Sequence, residues 1–385
     1  MRMPSSAVIA GLGTCLPERV ITNECLAARF DVSDAWIRSR TGISRRRAAE
    51  PPTSTGDLAV AAGRAALMSA RSGADFVLLA TTTPDRPCPA TAPEVAHRLG
   101  LDGVPALDVS AVCSGFVYGL VLARALVASG ACHRPLVIGA EVYTSIVDPL
   151  DRNTAIVFGD GAGAALLREG GGDEPGTIRA AELGSDGAGS TLIAIAAGGS
   201  LSPRTDEGDP PDRRCLRMRG REVYEHAVRR MTSSAGRVLE LAGWPASSVR
   251  AFIGHQANQR ILDAVGDRLG IDARYRFGNI DEVGNTAAAS LPLAMADSAA
   301  HHRVPPGARS VLTAFGGGLT WGSAALTWPD VVPVRLPPQT PATRHRAPSY
   351  SGTSRPRERS DPPWTPPTDT SCTCSPRSSK SPPTT

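Results

Sequence analysis

The stretch Ala106-Leu-Asp-Val-Ser-Ala-Val-Cys-Ser-Gly115 opens an apolar run that continues to Ser129 and is followed by Arg134-Pro-Leu-Val-Ile-Gly-Ala140. This pattern predicts a buried strand, a helix that begins near Cys113, and a second buried strand. Upstream, Ala74-Asp-Phe-Val-Leu-Leu-Ala80 predicts a further strand. Strands that alternate with helices in this way are typical of a layered α/β fold.

The same order of segments returns later in the chain. Three pairs of similar segments are separated by about 172–176 residues: 74–80 with 249–254, 113–129 with 285–300, and 134–140 with 309–314. The glycine-rich segments at Phe158 and Phe315 form a fourth pair with a shorter separation. We therefore predict two duplicated α/β halves, residues 1–172 and 173–330, with a shared site between them.

The C-terminal segment 331–385 differs from the rest of the chain. It holds 13 of the 33 prolines, and it has almost no aliphatic periodicity after Leu336. Such a composition cannot bury enough apolar surface to offset the entropy of ordering, so we predict a disordered tail over 331–385. The segment carries eight basic and three acidic residues of a chain with net charge +4, which leaves −1 for the first 330 residues. A body with this charge predicts no nucleic-acid partner.

The residue types exclude several classes of chemistry. Lys380 is the only lysine, so the body has no Schiff-base lysine and no phosphate-loop lysine. The eight cysteines are scattered and no pair in the body has CxxC spacing, which favours reduced thiols, a cytoplasmic location and no metal site. No run approaches about 20 apolar residues, so we expect no membrane span.

Cys113 is the first candidate for chemistry. It is expected where a strand ends and a helix begins, and the partial positive charge of a helix N-terminus lowers a thiol pKa and favours the thiolate. Ser114 and Gly115 are small and would let a substrate approach. The alternative interpretation is a buried structural cysteine.

Two polar clusters in the second half are further candidates. His255 heads the stretch Ile253-Gly-His-Gln-Ala-Asn-Gln-Arg-Ile261, although a lone histidine is often a core or surface residue. Asn285 begins Asn285-Thr-Ala-Ala-Ala-Ser290, where an asparagine could simply cap a helix. Its place in the second half matches that of Cys113 in the first, so a pseudo-twofold relation would make the two face each other across one cleft.

Two other motifs have weaker signals. Phe158-Gly-Asp-Gly-Ala-Gly163 contains GxGxG, but it lacks a helix-opening context and an acidic partner, so close backbone approach or an oxyanion contact is favoured over dinucleotide binding. Trp36, with Arg40 four residues later, could stack a planar ring and bind a phosphate, although an ordinary amphipathic helix has the same pattern.

Together these segments resemble the β-ketoacyl-acyl carrier protein synthase III family of the thiolase superfamily. The likeness runs from about Ala7 to Trp328 and depends on His255-Gln-Ala-Asn-x-Arg-Ile, Gly284-Asn-Thr-x-Ala-Ala-Ser and Phe315-Gly-Gly-Gly-x-Thr-Trp-Gly-Ser-Ala. It implies a thiolase-like five-layer αβαβα fold, usually a homodimer. It also implies transfer of an acyl group from acyl-CoA to the cysteine and decarboxylative condensation with malonyl-acyl carrier protein, in fatty-acid initiation or polyketide priming. No permanently bound cofactor is implied.

The resemblance also assigns expected roles to residues. Cys113 would be the nucleophile, His255 and Asn285 would promote decarboxylation and stabilise the enolate, and the backbone N–H groups of Cys113 and Gly317 would form the oxyanion hole. Arg260 would contact the carrier protein. The expected coenzyme A contacts are Trp36, Arg40, Arg152, Gly220 and Asn258, and the expected acyl-pocket residues are Cys88, Met218 and Phe315.

Departures from the family pattern leave other functions open. Cys88 stands where some members have a large aromatic residue that closes the partner's acyl pocket, so we expect room for a longer or branched acyl group. Val32 replaces a frequent hydroxyl residue near coenzyme A, and Glu225 stands where a basic docking residue is expected. The alternatives are a same-fold acyltransferase that does not condense, a hydrolase with a Cys-His-Asn triad, and a non-catalytic binding scaffold. Intact Asn285 favours condensation.

Overall fold

The computed structural model describes residues 6–203 and 210–338. Its first sheet contains β1 (Ser6–Cys15), β4 (Phe76–Ala80), β5 (Ala106–Val109), β6 (Pro135–Glu141), β7 (Gly161–Gly170) and β14 (Val334–Arg335). Their order across the sheet is β14-β1-β7-β6-β4-β5. β4 is parallel to β5 and β6, and β7 is antiparallel to both β1 and β6.

The second sheet contains β8 (Ile178–Ser185), β11 (Ala251–Gly254), β12 (Arg309–Gly316) and β13 (Thr320–Thr327), in the order β11-β12-β13-β8. Two small antiparallel pairs lie outside the main sheets: β2 (Val20–Thr22) with β3 (Arg45–Arg47), and β9 (Ile193–Ala194) with β10 (Arg217–Met218).

Helices cover both sheets and fill the space between them. α3 (Thr55–Ala70) and α4 (Ala92–Arg98) pack on the outer face of the first sheet, and α8 (Gly220–Ala242) and α9 (Gln259–Leu269) cover the second. The central helices, α5 (Gly115–Ser129) and α11 (Ser290–Ala300), contact strands of both sheets or share one core with them. This is the predicted five-layer αβαβα arrangement. Shorter helices lie in the connections: α1 (Asn23–Phe30), α2 (Asp34–Thr41), α6 (Arg152–Ala155), α7 (Pro211–Arg214) and α10 (Ile280–Val283).

The composition of the central layer follows from its position. The segment Val112–Ser129 is long and apolar enough to cross a membrane by length and composition. In the fold it packs between two sheets, where a helix must be apolar on all sides. Glycines in the first sheet let the second central helix approach closely: a Cβ atom at Gly163 would lie 2.8 Å from Pro292 Cβ, and one at Gly139 would overlap the Ala288 carbonyl.

The two halves repeat one plan, as the duplicated segments predict. The order β1-β7-β6-β4-β5 in the first sheet corresponds to β8-β13-β12-β11 in the second. In the second half, the counterpart of the parallel pairing between β4 and β5 is an isolated parallel bridge between Phe252 and Arg276. The central helices begin at Gly115 and Ser290, 175 residues apart. The duplication therefore extends to topology as well as to order along the chain.

The structure corrects the predicted start of the tail at 331. Val334 and Arg335 pair with Gly13 and Thr14 of β1, and the Leu336 N–H donates to the Thr14 carbonyl at 3.0 Å. These bonds are formed by main-chain groups and do not depend on the side chains. Side-chain periodicity therefore could not predict them. Residues 339–385 of the predicted tail lie outside the described residues.

Candidate active site

Two matching turns lie at the centre of the candidate site. The 3₁₀ turn Val112–Ser114 leads into α5, the 3₁₀ turn Ala287–Ala289 leads into α11, and the two turns contact each other. Val112 has φ +47° and Ala287 has φ +45°, in the left-handed region that costs a non-glycine residue about 1–2 kcal/mol. Such conformations persist where the surrounding structure holds them, often at functional sites.

The match between the turns corrects the predicted equivalence of Cys113 and Asn285. Cys113 is the middle residue of the first turn, and Ala288 is the middle residue of the second. Asn285 precedes Ala288 by three residues. It forms an isolated bridge with Phe158. The two catalytic candidates therefore come to one place without being equivalent positions of the repeat.

Cys113 is buried, with 6% of its surface exposed. Burial raises the pKa of its thiol, and the negative charge of Glu141 raises it further. This differs from the expected lowering by the helix N-terminus, because desolvation of the thiolate outweighs the helix dipole. The turn between β12 and β13 rests on the backbone of Cys113, since a Cβ atom at Gly316 would lie 2.7 Å from its nitrogen. Gly317, the predicted second oxyanion donor, is the next residue.

His255 follows β11 and is 2% exposed. Its backbone N–H donates to the Thr313 carbonyl at 2.8 Å, and its Nδ1 lies 2.6 Å from Ser290 Oγ. Burial lowers the pKa of the imidazole to about 3, so the ring is neutral at neutral pH. Ser290 Oγ also accepts from the Gln256 N–H at 3.4 Å. Among the described residues, Nδ1 is the acceptor available to the buried Ser290 hydroxyl, so its proton is directed to Nδ1, and the ring proton remains on Nε2.

Asn285 is held by both its backbone and its side chain. Its N–H donates to the Val157 carbonyl at 2.9 Å, and its carbonyl accepts from the Gly159 N–H at 2.9 Å. The side-chain Oδ1 accepts from the Ala287 N–H at 2.9 Å. The acceptor end of the amide is therefore occupied, which leaves the Nδ2 amino group as the donor.

The three predicted catalytic residues thus meet where the two turns touch. Cys113 is in the first turn, Asn285 precedes the second, and His255 bonds to Ser290, the first residue of the helix after the second turn. Ser290 ends the Gly284-Asn-Thr-x-Ala-Ala-Ser motif, but the motif does not indicate its contact with His255, because that bond spans 35 residues. Asn285 also lines a cavity of about 980 Å³, whose lining includes the predicted residues Arg40, Met218, Gly220, Asn258 and Arg260.

The predicted coenzyme A residues differ in what they contact. Arg40 and Arg152 each lie over the Trp36 ring, with both guanidinium carbons 5.2 Å from its centroid. Asn258 joins two helices, because its Nδ2 donates to the Arg40 carbonyl at 2.9 Å and its Oδ1 accepts from the Arg260 N–H at 2.9 Å. Gly220 is exposed and has no atom within 4 Å of a Cβ position. Stacking of a base between Trp36 and Arg152 needs roughly 7 Å between them, so Arg152 has to move outward.

Two of the predicted acyl-pocket residues are close to each other, because Met218 lines the large cavity and packs against the cluster between the second sheet and α8 that contains Phe315. Cys88, which is expected to close the pocket of a partner chain, is exposed. Side chains alternate along a strand, so Phe315 points to the same face of β12 as Val311. The cluster that holds Cys113 instead includes five residues that the sequence did not single out as its neighbours: Tyr143, Ile156, Val157, Phe158 and Leu216.

Glu141 is a buried carboxyl group beside this cluster. It is fully buried at the end of β6 and accepts from the Thr82 N–H at 3.0 Å and the Thr83 Oγ1–H at 2.9 Å. Burial raises its pKa to about 7. The bonds fix the start of the segment that leads to Cys88. Within residues 6–203 and 210–338, no group of three or more His, Cys, Asp and Glu side chains could hold a metal ion.

Comparison with family models finds two matches. Residues 107–187 match the model described as 3-Oxoacyl-[acyl-carrier-protein (ACP)] synthase III, and residues 239–328 match the model of its C-terminal part. These segments contain Cys113, His255 and Asn285. The chain is 56% identical over 332 residues to β-ketoacyl-[acyl-carrier-protein] synthase III 2 of Streptomyces coelicolor, covering 86% of this chain and 96% of that protein. It is 47% identical to a β-ketoacyl-[acyl-carrier-protein] synthase III of Pseudomonas aeruginosa over 86% of this chain and 99% of that protein.

Solved structures with the same fold include proteins with the same family description. The crystal structure of 3-oxoacyl-(acyl carrier protein) synthase III from Pseudomonas aeruginosa superposes with a TM-score of 0.80 at 46% identity, covering 85% of this chain and 100% of the other. The priming β-ketosynthase from the R1128 polyketide biosynthetic pathway gives a TM-score of 0.78 at 34% identity, covering 86% of this chain and 99% of the other.

Proposed function

The chain belongs to the 3-oxoacyl-acyl carrier protein synthase III family of acyltransferases, and from this premise we propose that Cys113 accepts an acyl group from acyl-CoA and passes it to malonyl-acyl carrier protein. The product would be a β-ketoacyl-acyl carrier protein, formed by decarboxylative condensation in fatty-acid initiation or polyketide priming. The observation that carries this proposal is a pair of fixed hydrogen-bond donors, His255 and Asn285, which are bonded to Ser290 and Ala287 around the turn that contacts the turn of Cys113.

Both donors are set by bonds to their acceptor atoms. Ser290 donates to His255 Nδ1, which keeps the proton of the neutral ring on Nε2. The Ala287 N–H occupies Oδ1 of Asn285, which leaves Nδ2 to donate. Two fixed donors without a metal suit a reaction that places negative charge on a thioester oxygen.

In the first half-reaction, the Cys113 sulfur attacks the thioester carbonyl carbon of acyl-CoA. The backbone N–H groups of Cys113 and Gly317 stabilise the tetrahedral oxyanion. The carbon–sulfur bond to coenzyme A then breaks, and the proton of the Cys113 thiol ends on the coenzyme A sulfur. A thiol suits this step because it is a strong nucleophile when deprotonated and a good leaving group afterwards.

In the second half-reaction, the malonyl group loses carbon dioxide. The electron pair of the broken carbon–carbon bond forms an enolate, whose oxygen accepts hydrogen bonds from His255 Nε2 and Asn285 Nδ2. The enolate carbon attacks the acyl carbonyl on Cys113, the carbon–sulfur bond breaks, and the Cys113 thiolate takes up a proton. Each donor contributes on the order of 3 kcal/mol to lowering this barrier.

The same contacts argue against a Cys-His-Asn hydrolase. In such a triad the asparagine oxygen accepts from one ring N–H of the histidine, and the other ring nitrogen is the base that takes the thiol proton. Here Nδ1 bonds to Ser290, and the Asn285 oxygen bonds to Ala287. The presence of Asn285 as a fixed donor also favours condensation over acyl transfer to an alcohol, an amine or a carrier without condensation.

We also infer the surroundings of the reaction. Acyl-CoA would enter the cavity of about 980 Å³ that reaches Asn285, with its adenine at Trp36 and its phosphates near Arg40 and Arg152. Exposed Arg260, at the mouth of the same cavity, would contact an acidic carrier protein. The enzyme would act as a cytoplasmic homodimer without a permanently bound cofactor, and Cys88 would close the partner's acyl pocket.

The proposal is tested by incubating the full chain with acetyl-CoA and malonyl-acyl carrier protein. Carbon dioxide release and a β-ketoacyl product are expected, and mass spectrometry should find the acyl group on Cys113. Cys113→Ser should abolish product, whereas Cys25→Ser, which changes an exposed cysteine, should retain it. Asn285→Ala should still acylate Cys113 but lose condensation by about 10²–10³-fold. Product from Cys113→Ser would disprove the assignment of the nucleophile.

A further inference from the structure

Tyr143 is a buried side chain that the proposed mechanism does not use. It begins the 3₁₀ turn Tyr143–Ser145, which follows β6, and it is fully buried. Its ring stacks on Phe158, with centroids 4.6 Å apart and planes inclined by 18°. Its hydroxyl has no hydrogen-bond partner among the residues that the structure describes. A buried hydroxyl without a partner is destabilising, so this one calls for a reason.

Tyr143 lies in the apolar region around the reactive thiol. Tyr143 and Phe158 belong to the same apolar cluster as Cys113, together with Ile156 and Leu216. Burial raises the pKa of Tyr143, and a charge on Cys113 raises it further, as expected of neighbouring groups. An acyl group on Cys113 would therefore contact this tyrosine.

A second hydroxyl shares the same region. Thr82 Oγ1 is buried and has no partner in the described part of the chain, and it is near enough to Tyr143 to influence its pKa. The backbone of Thr82 is fixed by the bond from its N–H to Glu141. By contrast, the hydroxyl of Tyr118 donates to the Gly184 carbonyl at 2.9 Å. The apolar wall around Cys113 thus contains a polar notch, defined by Tyr143 and Thr82.

We propose that this polar notch selects a short starter acyl group that carries a hydroxyl or oxo oxygen. The inference rests on the proposed function, since it concerns the acyl group held by Cys113. The Tyr143 hydroxyl would donate to the acyl oxygen, and Thr82 would supply or accept a second hydrogen bond. A plain aliphatic acyl group of the same length offers no oxygen to either hydroxyl, and a site built to bond an oxygen discriminates against the analogue that lacks it.

The test compares butyryl-CoA with 3-hydroxybutyryl-CoA, which differ by one oxygen. The rate of acyl transfer to Cys113 is followed by intact-protein mass spectrometry, and the ratio of the two kcat/KM values is the measured quantity. Wild-type protein should favour the hydroxylated substrate by about tenfold, and Tyr143→Phe should remove that preference. Tyr275→Phe, which changes a tyrosine packed between Arg250 and Arg274, should keep it.

Two results would overturn the inference. The first is a wild-type ratio that favours butyryl-CoA, a measurement that needs no variant to fold. The second is an unchanged ratio in Tyr143→Phe. If that variant also self-associates more weakly in size-exclusion chromatography, a second copy of the chain pairs with the hydroxyl. Condensation of acetyl-CoA with malonyl-acyl carrier protein, measured in parallel, reports on the proposed function separately.

Discussion

Ser290 Oγ lies 2.6 Å from His255 Nδ1, and this contact decides which ring nitrogen carries the proton. A neutral imidazole with its proton on Nε2 is a donor toward the substrate, whereas the other tautomer would present a lone pair there. Ser290 is therefore a positioning residue, and it acts through His255.

Replacing Ser290 with alanine should impair condensation more than acyl transfer. Without the hydroxyl, His255 populates the Nδ1–H form and one donor to the enolate is lost part of the time, so condensation should slow by about tenfold to hundredfold. Ser298→Ala is a matched control, because Ser298 is buried in the same helix and its Oγ has no partner in the described residues. Nitrogen NMR shifts of His255 should show the tautomer change, and equal loss in both half-reactions would contradict this role.

Burial of His255 makes the free energy of unfolding depend on pH in the acidic range. Its pKa falls from an ordinary value of 6.5 to about 3 on folding, because burial disfavours the charged ring. Between these two pKa values the unfolded chain is protonated at His255 and the folded chain is not. The free energy of unfolding should therefore decrease as the pH falls from about 6.5 toward 3. Urea unfolding at several pH values measures this. His255→Gln should flatten the dependence relative to His226→Gln, which changes a half-buried histidine of α8. An equal slope in the two variants would argue against this role of His255.

Burial of Glu141 makes the free energy of unfolding decrease as the pH rises, the opposite of the effect of His255. Its pKa rises from 4.5 to about 7 on folding through burial, so the folded state keeps a proton that the unfolded state loses. Its contribution to stability is complete below about 4.5 and is lost as the pH rises through 7. Glu141→Gln should therefore gain stability relative to wild type between pH 5 and 8, as measured by urea unfolding. Glu240→Gln changes an exposed carboxylate and should show no such trend; if it did, the effect would not come from Glu141.

Trp36 should matter only for substrates that contain adenine. The guanidinium groups of Arg40 and Arg152 both lie over its ring, so it offers a stacking surface close to two cations. Trp36→Ala should raise the KM for acetyl-CoA by about tenfold and leave kcat for condensation nearly unchanged. Acetyl-pantetheine, which lacks the nucleotide, is the matched control substrate and should be used equally well by both proteins. A parallel rise in KM for acetyl-pantetheine would place Trp36 elsewhere in the site.

Local sequence patterns predicted the layers and the catalytic candidates. The strand–helix–strand pattern around Cys113 and its repetition were enough for the two halves, because each segment carries its own apolar period. The motifs around His255 and Asn285 are likewise contiguous. What they could not show is that Ala288, rather than Asn285, is the structural equivalent of Cys113, since that depends on the register of two turns.

Features that depend on distant contacts were not predictable. The bond from Ser290 to His255 and the bonds from Thr82 and Thr83 to Glu141 join segments 35 to 59 residues apart. The wall around Cys113 is formed from the ends of several connections, so no single stretch shows a pattern for it. The rise of the Cys113 pKa depends on burial, which a sequence motif does not report.

The two borders of the first sheet are unequal. One is β14, which pairs with β1 through only two residues; the other is β5, four residues long, where the side chain of Leu107 is 42% exposed. Very short outer strands are poor templates for another chain. Among the described strands of this sheet, addition of a further strand is therefore open at β5 alone, and two copies joined there would leave only β14 strands at the borders of the joined sheet. Growth by this route stops at a closed pair and cannot continue into a filament.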